Sequence, residues 1–243
     1  MDRNKIFKLC KMKFSSDPSY VCFQESSLRS GQVHGLIAQN RNMLAVEELD
    51  LVRTFFLSAV SFANKPDVVG EIVSRNSDYS IYFALKQSIE ESDMAVLSRS
   101  LKGVSDKSAF AVFAFLYPNK YSVQPGSVIG LSRLIFHDVK DYTVAFNVDF
   151  ESLQQKIIKE MSITNQLFCQ NFKEYGFESP LEFSVIVGIL YRNVYHQKLP
   201  QEEAAGKDRN EKFEMRYFKY IEGLLNYPLN NGVDVYSVCL RII

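Results

Sequence analysis

The sequence predicts an α+β fold in which helix predominates, with a small antiparallel sheet at one side and a C-terminal helical bundle. Three observations support this. Cys10, Met12 and Phe14 alternate with Lys11 and Lys13, the period of a half-buried strand. Val144, Phe146, Val148 and Phe150 alternate in the same way, in a run dominated by β-branched and aromatic residues. Between and after these runs, apolar residues recur at three- and four-residue steps over long segments, which lines one face of a helix.

The elements follow in order. The first 25 residues read as a hairpin. One strand ends at Phe14, Ser15-Ser16-Asp17-Pro18-Ser19 supplies turn chemistry, and Tyr20-Val21-Cys22-Phe23 forms the return strand. Ser26 to Asn42, with two glycines and many amides, reads as a loop-like connection carrying His34. A loop bearing a histidine is one form an active-site lid takes. Leu49, Val52, Phe56, Ala59 and Ala63 then predict a helix over Leu44–Ala63, ended by Asn64-Lys65-Pro66. A short helix is predicted over Asp67–Ser74. A longer one covers Asp78–Leu101, broken near Glu91-Ser92-Asp93 and stopped by Gly103.

Ala109 to Leu116 contains no polar residue, so it is expected to be buried on every side; its alanines favour helix. Tyr117–Gly126 is turn-rich, Val128–Phe136 is a short helix, and Tyr142–Phe150 is the clearest strand. Helices are then predicted over Glu151–Met161, Thr164–Tyr175, Pro180–Gln197 and Asp208–Asn226. The third opens on Ser179-Pro180-Leu181-Glu182, a capping box with Ser at N-cap, Pro at N1 and Glu at N3. Leu199–Gly206 reads as a polar loop, and Val233–Ile243 as a final strand that pairs with the N-terminal hairpin. Residues 1–243 are expected to form a single domain. A seam near residue 150 divides a mixed α/β part, 1–150, from a helical part with the final strand, 151–243.

Composition narrows function. With 47% hydrophobic residues the 243-residue chain can build a core, which excludes disorder throughout. Lys+Arg and Asp+Glu number 28 each, so nothing draws the whole chain toward nucleic acid or an anionic membrane. No stretch approaches the roughly 20 apolar residues that cross a bilayer. A cytoplasmic protein without a secretory signal or membrane contact is expected. Cys10, Cys22, Cys169 and Cys239 lack zinc spacing and are expected to be reduced thiols. No GxGxxG, Walker, GxSxG or HExxH pattern occurs, and no cofactor or metal is expected.

Two constellations remain. Arg192 and His196 lie four apart on the predicted helix Pro180–Gln197, hence on one face, where imidazole can move a proton and guanidinium can stabilise a phosphorane. The segment Leu190-Tyr191-Arg192-Asn193-Val194-Tyr195-His196 resembles the HEPN family of helical ribonucleases. In that family an Arg, often followed by a polar residue, precedes a His within a helical bundle. The likeness covers Arg192, Asn193 and His196, and the Arg–His interval here is shorter than the family's. The resemblance implies metal-independent RNA cleavage by Arg192 and His196. The same two residues also suit plain hydrogen bonding at a helix C-terminus.

The second constellation is Arg209, Lys212, Arg216 and Lys219. They fall within roughly 80° of a helical wheel, beside Phe213, Tyr217 and Tyr220. A basic ridge beside aromatics suits phosphate, nucleic acid or a protein partner. Asp208, Glu211 and Glu222 flank it and equally suit an ordinary solvated helix. Weaker candidates are His137, Asp138, Asp141 and Asp149 around the predicted strand.

The residues favour a non-enzymatic interaction or regulatory protein. It would act through another protein or self-association, with a local nucleic-acid contact at the ridge; its 13 tyrosines suit interfaces. The alternative is a small metal-independent HEPN-like ribonuclease.

Overall fold

Apolar side chains in the first 38 residues recur at helical steps, and the chain folds accordingly. A computed structural model describes residues 3–122, 162–195, 200–207, 211–212 and 215–216. Helices α1 (Arg3–Lys13) and α2 (Pro18–Ala38) occupy the segment predicted as hairpin and loop. Phe7, Cys10 and Phe14 are buried at steps of three and four, whereas Met12, which a strand would place beside them, is half-buried.

The turn chemistry at Ser15–Ser19 is real but joins two helices. Asp17 Oδ1 accepts the Ser19 N–H at 2.9 Å, the Asp17 carbonyl accepts the Tyr20 N–H at 2.8 Å, and Pro18 opens α2. Asp-Pro is as good an N-cap and N1 pair as it is a hairpin turn. The buried face of α2 runs Tyr20, Phe23, Ser26, Ser30, Val33, Leu36 and Ile37. Serines hold two of its inward positions, which is why its composition resembles a loop.

No strand occurs among the described residues, so the α+β expectation is corrected. What is described is helical, and the predicted antiparallel sheet is not supported. Its other two strands, 142–150 and 233–243, lie outside the described residues. So do the helices predicted over 128–136 and 151–161.

The chain groups into two compact units: Val21–Pro125, and Met1–Tyr20 with Gly126–Ile243. In the first unit α3 (Val46–Ser61), α4 (Pro66–Arg75), α5 (Asp78–Glu91), α6 (Ala95–Ser100) and α7 (Asp106–Leu116) match the predicted helices and their breaks. Glu48 Oε2 accepts the Ala45 N–H at the start of α3, and Ser77 and Ser105 cap α5 and α7 by accepting the N–H groups of Ser80 and Ser108. Ser92, in left-handed conformation at φ 53°, ends α5, and Asp93 opens α6 by accepting the Ala95 N–H. Every residue of α7 from Ser108 to Leu116 is buried, which makes it the centre of this unit.

A helix with no exposed side needs its terminal carbonyls satisfied from neighbours. Here α2 does this. Ser30 Oγ donates to the Phe115 carbonyl at 2.7 Å, and His34 Nε2 donates to the Leu116 carbonyl at 3.0 Å. The His34 ring also meets Tyr117 edge-on, with centroids 5.6 Å apart. His34 is therefore a helical side chain closing the α7 C-terminus, and the loop predicted around it is corrected. His34→Ala is expected to cost about 1 kcal/mol in urea unfolding. An unchanged midpoint would show that water caps Leu116 equally well.

In the second unit the helix Pro180–Tyr195 is apolar almost all round. Leu181, Phe183, Val185, Ile186, Val187, Ile189 and Leu190 are buried. A helical segment over 162–171 contributes Phe168, and the turn after it contributes Tyr175 and Phe177. These rings and Phe7 of α1 gather around Phe183 at centroid distances of 4.5 to 5.2 Å. Gln201–Ala204 adds one helical turn inside the predicted polar loop.

Candidate functional site

The second unit contains the one sequence-predicted catalytic position that is described, and its polar groups are built from the start of the central helix. Ser179 Oγ accepts the Glu182 N–H at 3.0 Å, the forward half of the predicted capping box. The return bond runs to the Glu178 N–H, one residue before the N-cap, at 2.9 Å from Glu182 Oε2. The carboxylate thus folds back over the helix N-terminus, where the dipole favours negative charge. Its other oxygen, Oε1, accepts the Tyr20 hydroxyl at 2.7 Å and meets Lys11 Nζ at 2.8 Å. Burial, reinforced by the hydrogen bond to Glu182, raises the Tyr20 hydroxyl far above the ordinary tyrosine range. Tyr20 therefore stays protonated and holds its donor on Glu182.

Three turns along the same helix, Arg192 Nη2 donates to both Asp17 oxygens at 2.8 Å, and Nη1 donates to Ser19 Oγ at 3.1 Å. Asp17 is also the residue that caps α2. The first turn of α2 is thereby tied twice to the central helix, by Tyr20 on Glu182 and by Asp17 and Ser19 on Arg192. Asn193 bends back to its own helix, donating to the Ile189 carbonyl at 2.9 Å. Of the three residues behind the HEPN resemblance, Arg192 is in an ion pair, Asn193 bonds its own backbone, and His196 lies outside the described residues.

Within the basic ridge, residues 211–212 and 215–216 are helical, and Lys212 and Arg216 are half-buried. Arg209 and Lys219 lie outside the described residues, as do His137, Asp138, Asp141, Asp149 and Cys239. Cys10, Cys22 and Cys169 are thiols, and burial raises that of Cys169. Among the described residues no three His, Cys, Asp or Glu side chains come together as a metal site. No described helix is long and apolar enough to cross a membrane.

Sequence reasoning missed a surface feature of the first unit. Helix α5 buries Ile81, Tyr82, Ala84, Leu85 and Ser88. Tyr79 and Phe83 stand on the opposite side, each two residues from a core position and so about 200° around the helix. They are 36% and 44% exposed, and their rings stack with centroids 6.2 Å apart and planes at 26°. The Tyr79 hydroxyl donates to the Leu44 carbonyl at 3.3 Å, which sets the segment around Leu44 alongside. That segment carries Met43 and Val46, 77% and 78% exposed. The clue in the sequence was an aromatic pair four apart, lying off a core stripe already complete without it. Val21 and Leu28 are also exposed on α2, as single aliphatics of the kind any surface carries. No protein-family model, curated protein or solved structure matches this chain, so what it does rests on its own residues.

Proposed function

We propose that this chain is a non-enzymatic interaction or regulatory protein that works through protein–protein contacts made by the exposed face of α5. The observation that carries this reading is the stacked Tyr79–Phe83 pair, on the side of α5 opposite its core and flanked by Met43 and Val46. Clustered exposed rings and aliphatics mark contact surfaces, because water solvates them poorly and a partner removes them from it. The polar groups support the same reading. Glu182, Tyr20, Lys11, Asp17 and Arg192 are engaged with one another.

The local nucleic-acid contact at Arg209, Lys212, Arg216 and Lys219 remains part of the proposal, on the strength of their spacing. Cytoplasmic location and a single domain over 1–243 are likewise proposed on sequence grounds. The rival reading, a HEPN-like ribonuclease, needs the Arg192 guanidinium to meet a phosphorane. Asp17 and Ser19 already take three of its hydrogen bonds, and a neutralised guanidinium stabilises new negative charge less.

Labelled single-stranded RNA incubated with the protein and EDTA tests the two readings. Intact RNA is expected. Cleavage by wild type that disappears in Arg192→Ala and His196→Ala would overturn the non-enzymatic reading. In parallel, immobilised wild type is expected to retain a partner that Phe83→Asp does not.

A further inference from the structure

We propose that α4 is a strap: it opens and closes while the rest of its unit stays folded, and opening uncovers the apolar seat of Ile72. An asparagine anchors the chain on each side of it. Before α4, Asn64 Nδ2 donates to the Val60 carbonyl at 2.9 Å and to Ser108 Oγ at 3.0 Å, which ties the end of α3 to the start of α7. After α4, the Asn76 side chain pairs with the Lys102 backbone in both directions. Its Nδ2 donates to the carbonyl and its Oδ1 accepts the N–H, each at 2.9 Å. None of these bonds involves a residue of α4, so all of them survive when the helix between them opens. Opening then frees ten residues whose ends stay fixed, which limits the entropy gained and favours closing again.

Little holds the helix down between the anchors. Only Ile72 is buried; Val69 and Val73 are half-buried, and the other residues face water. A helix this short does not stand alone in water. Its own sequence adds little. Lys65 at the N-cap supplies no side-chain acceptor, and Gly70 sits exposed in mid-helix. Ser74 Oγ donates back to the Glu71 carbonyl at 2.9 Å, a bond that competes with helix geometry. Asp67 in the first turn and the exposed Glu71–Arg75 pair act the other way, weakly.

Ile72 is therefore the latch. Its side chain lies against the Gly103 backbone, where an added Cβ would sit 3.5 Å from Ile72 Cγ1. Gly103 occupies a φ of 78°, and Asn76 holds its neighbour Lys102, so this wall of the seat persists when Ile72 leaves. Withdrawal of one aliphatic side chain separates the closed form from the open one. Exposing α7, which is buried from Ser108 to Leu116, requires unfolding the whole unit.

Native-state hydrogen exchange on the full chain, read by mass spectrometry in increasing low urea, tests this. In wild type, amides 69–75 are expected to exchange at least about a hundredfold faster than those of α7, after correction for intrinsic rates. Low urea should hardly change the α4 rate, because little surface is exposed on opening, and should steeply raise that of α7. Ile72→Ala should accelerate amides 69–75 a further tenfold or more, by about the loss of a buried aliphatic side chain, while α7 stays protected.

Three results would overturn the proposal. The first is a wild type in which amides 69–75 and α7 exchange together with the same urea response. The second is an Ile72→Ala protein whose amides 69–75 are as protected as in wild type. The third is an Ile72→Ala protein unfolded throughout by circular dichroism, since α4 would then be inseparable from its unit.

Discussion

Phe183→Ala is expected to lower stability by about 4 kcal/mol, read as a shift of the urea unfolding midpoint followed by circular dichroism. The ring is fully buried and is the hub of the second unit's core. It stacks on Phe177 at 4.5 Å and 13°, and meets Phe168 and Phe7 edge-on at 5.0 and 5.1 Å. Truncation removes its transfer energy, leaves a void between rigid rings that cannot easily collapse, and deletes several aromatic pairs. Phe183→Leu, which keeps most of the volume, should lose less than half as much. A loss below about 1 kcal/mol for the alanine variant would mean that the cluster does not pack as described.

Glu182→Ala comes next, at about 3 kcal/mol. The change disturbs three groups together. The Tyr20 hydroxyl loses its Glu182 acceptor in a buried site, Lys11 loses its nearer counter-charge and keeps Glu178 at 3.9 Å, and the Glu178 N–H loses its cap. Lys11 keeps access to water, which limits the cost on its side. Glu182→Gln retains an acceptor for Tyr20 but turns an amide toward the Glu178 N–H, so it should fall between the two.

The same network carries a pH signature. The Tyr20 hydroxyl is raised in the folded state, first by burial and then by its bond to Glu182. Its contribution is complete below pH about 10. It declines as pH rises beyond that, because the unfolded tyrosine ionises while the buried one stays protonated. Tyr20→Phe should flatten that alkaline decline, and an unchanged slope would assign it to other groups.

The sequence announced its helices where one mechanism dominated. Ser179 starts its helix where the capping box places it, Asn64-Lys65-Pro66 separates α3 from α4, and Ser92 and Gly103 interrupt the chain where backbone of positive φ is needed. It misled where one pattern served two structures. Cys10, Met12 and Phe14 alternate, but Phe7, Cys10 and Phe14 also mark a helical face, and five residues of lysine-rich alternation do not separate the two. In α2 the buried Ser26 and Ser30 disguised an inward face as polar. Tertiary contacts then decided matters, Ser30 and His34 finding the α7 carbonyls some 80 positions away.

The site was open to sequence reasoning only in part. Spacing correctly placed Arg192 near the end of a central helix, but its partner Asp17 lies 175 positions away, a pairing no local pattern encodes. The α5 face was available in principle. Ile81, Tyr82, Leu85 and Ser88 complete a core stripe, and the leftover pair Tyr79 and Phe83 points elsewhere. What concealed it was the abundance of aromatic residues, which makes any single pair look like core.

The measurement that decides between an interaction protein and a merely folded one is a paired retention experiment. Wild-type and Phe83→Asp proteins, both folded, are immobilised at equal density and exposed to the same concentrated extract supplemented with untagged copies of the chain. Retained proteins are quantified by mass spectrometry. The α5 face predicts at least one protein, the added copy or another, held by wild type and reduced about tenfold or more on the variant. The same proteins in the same amounts on both surfaces would contradict it.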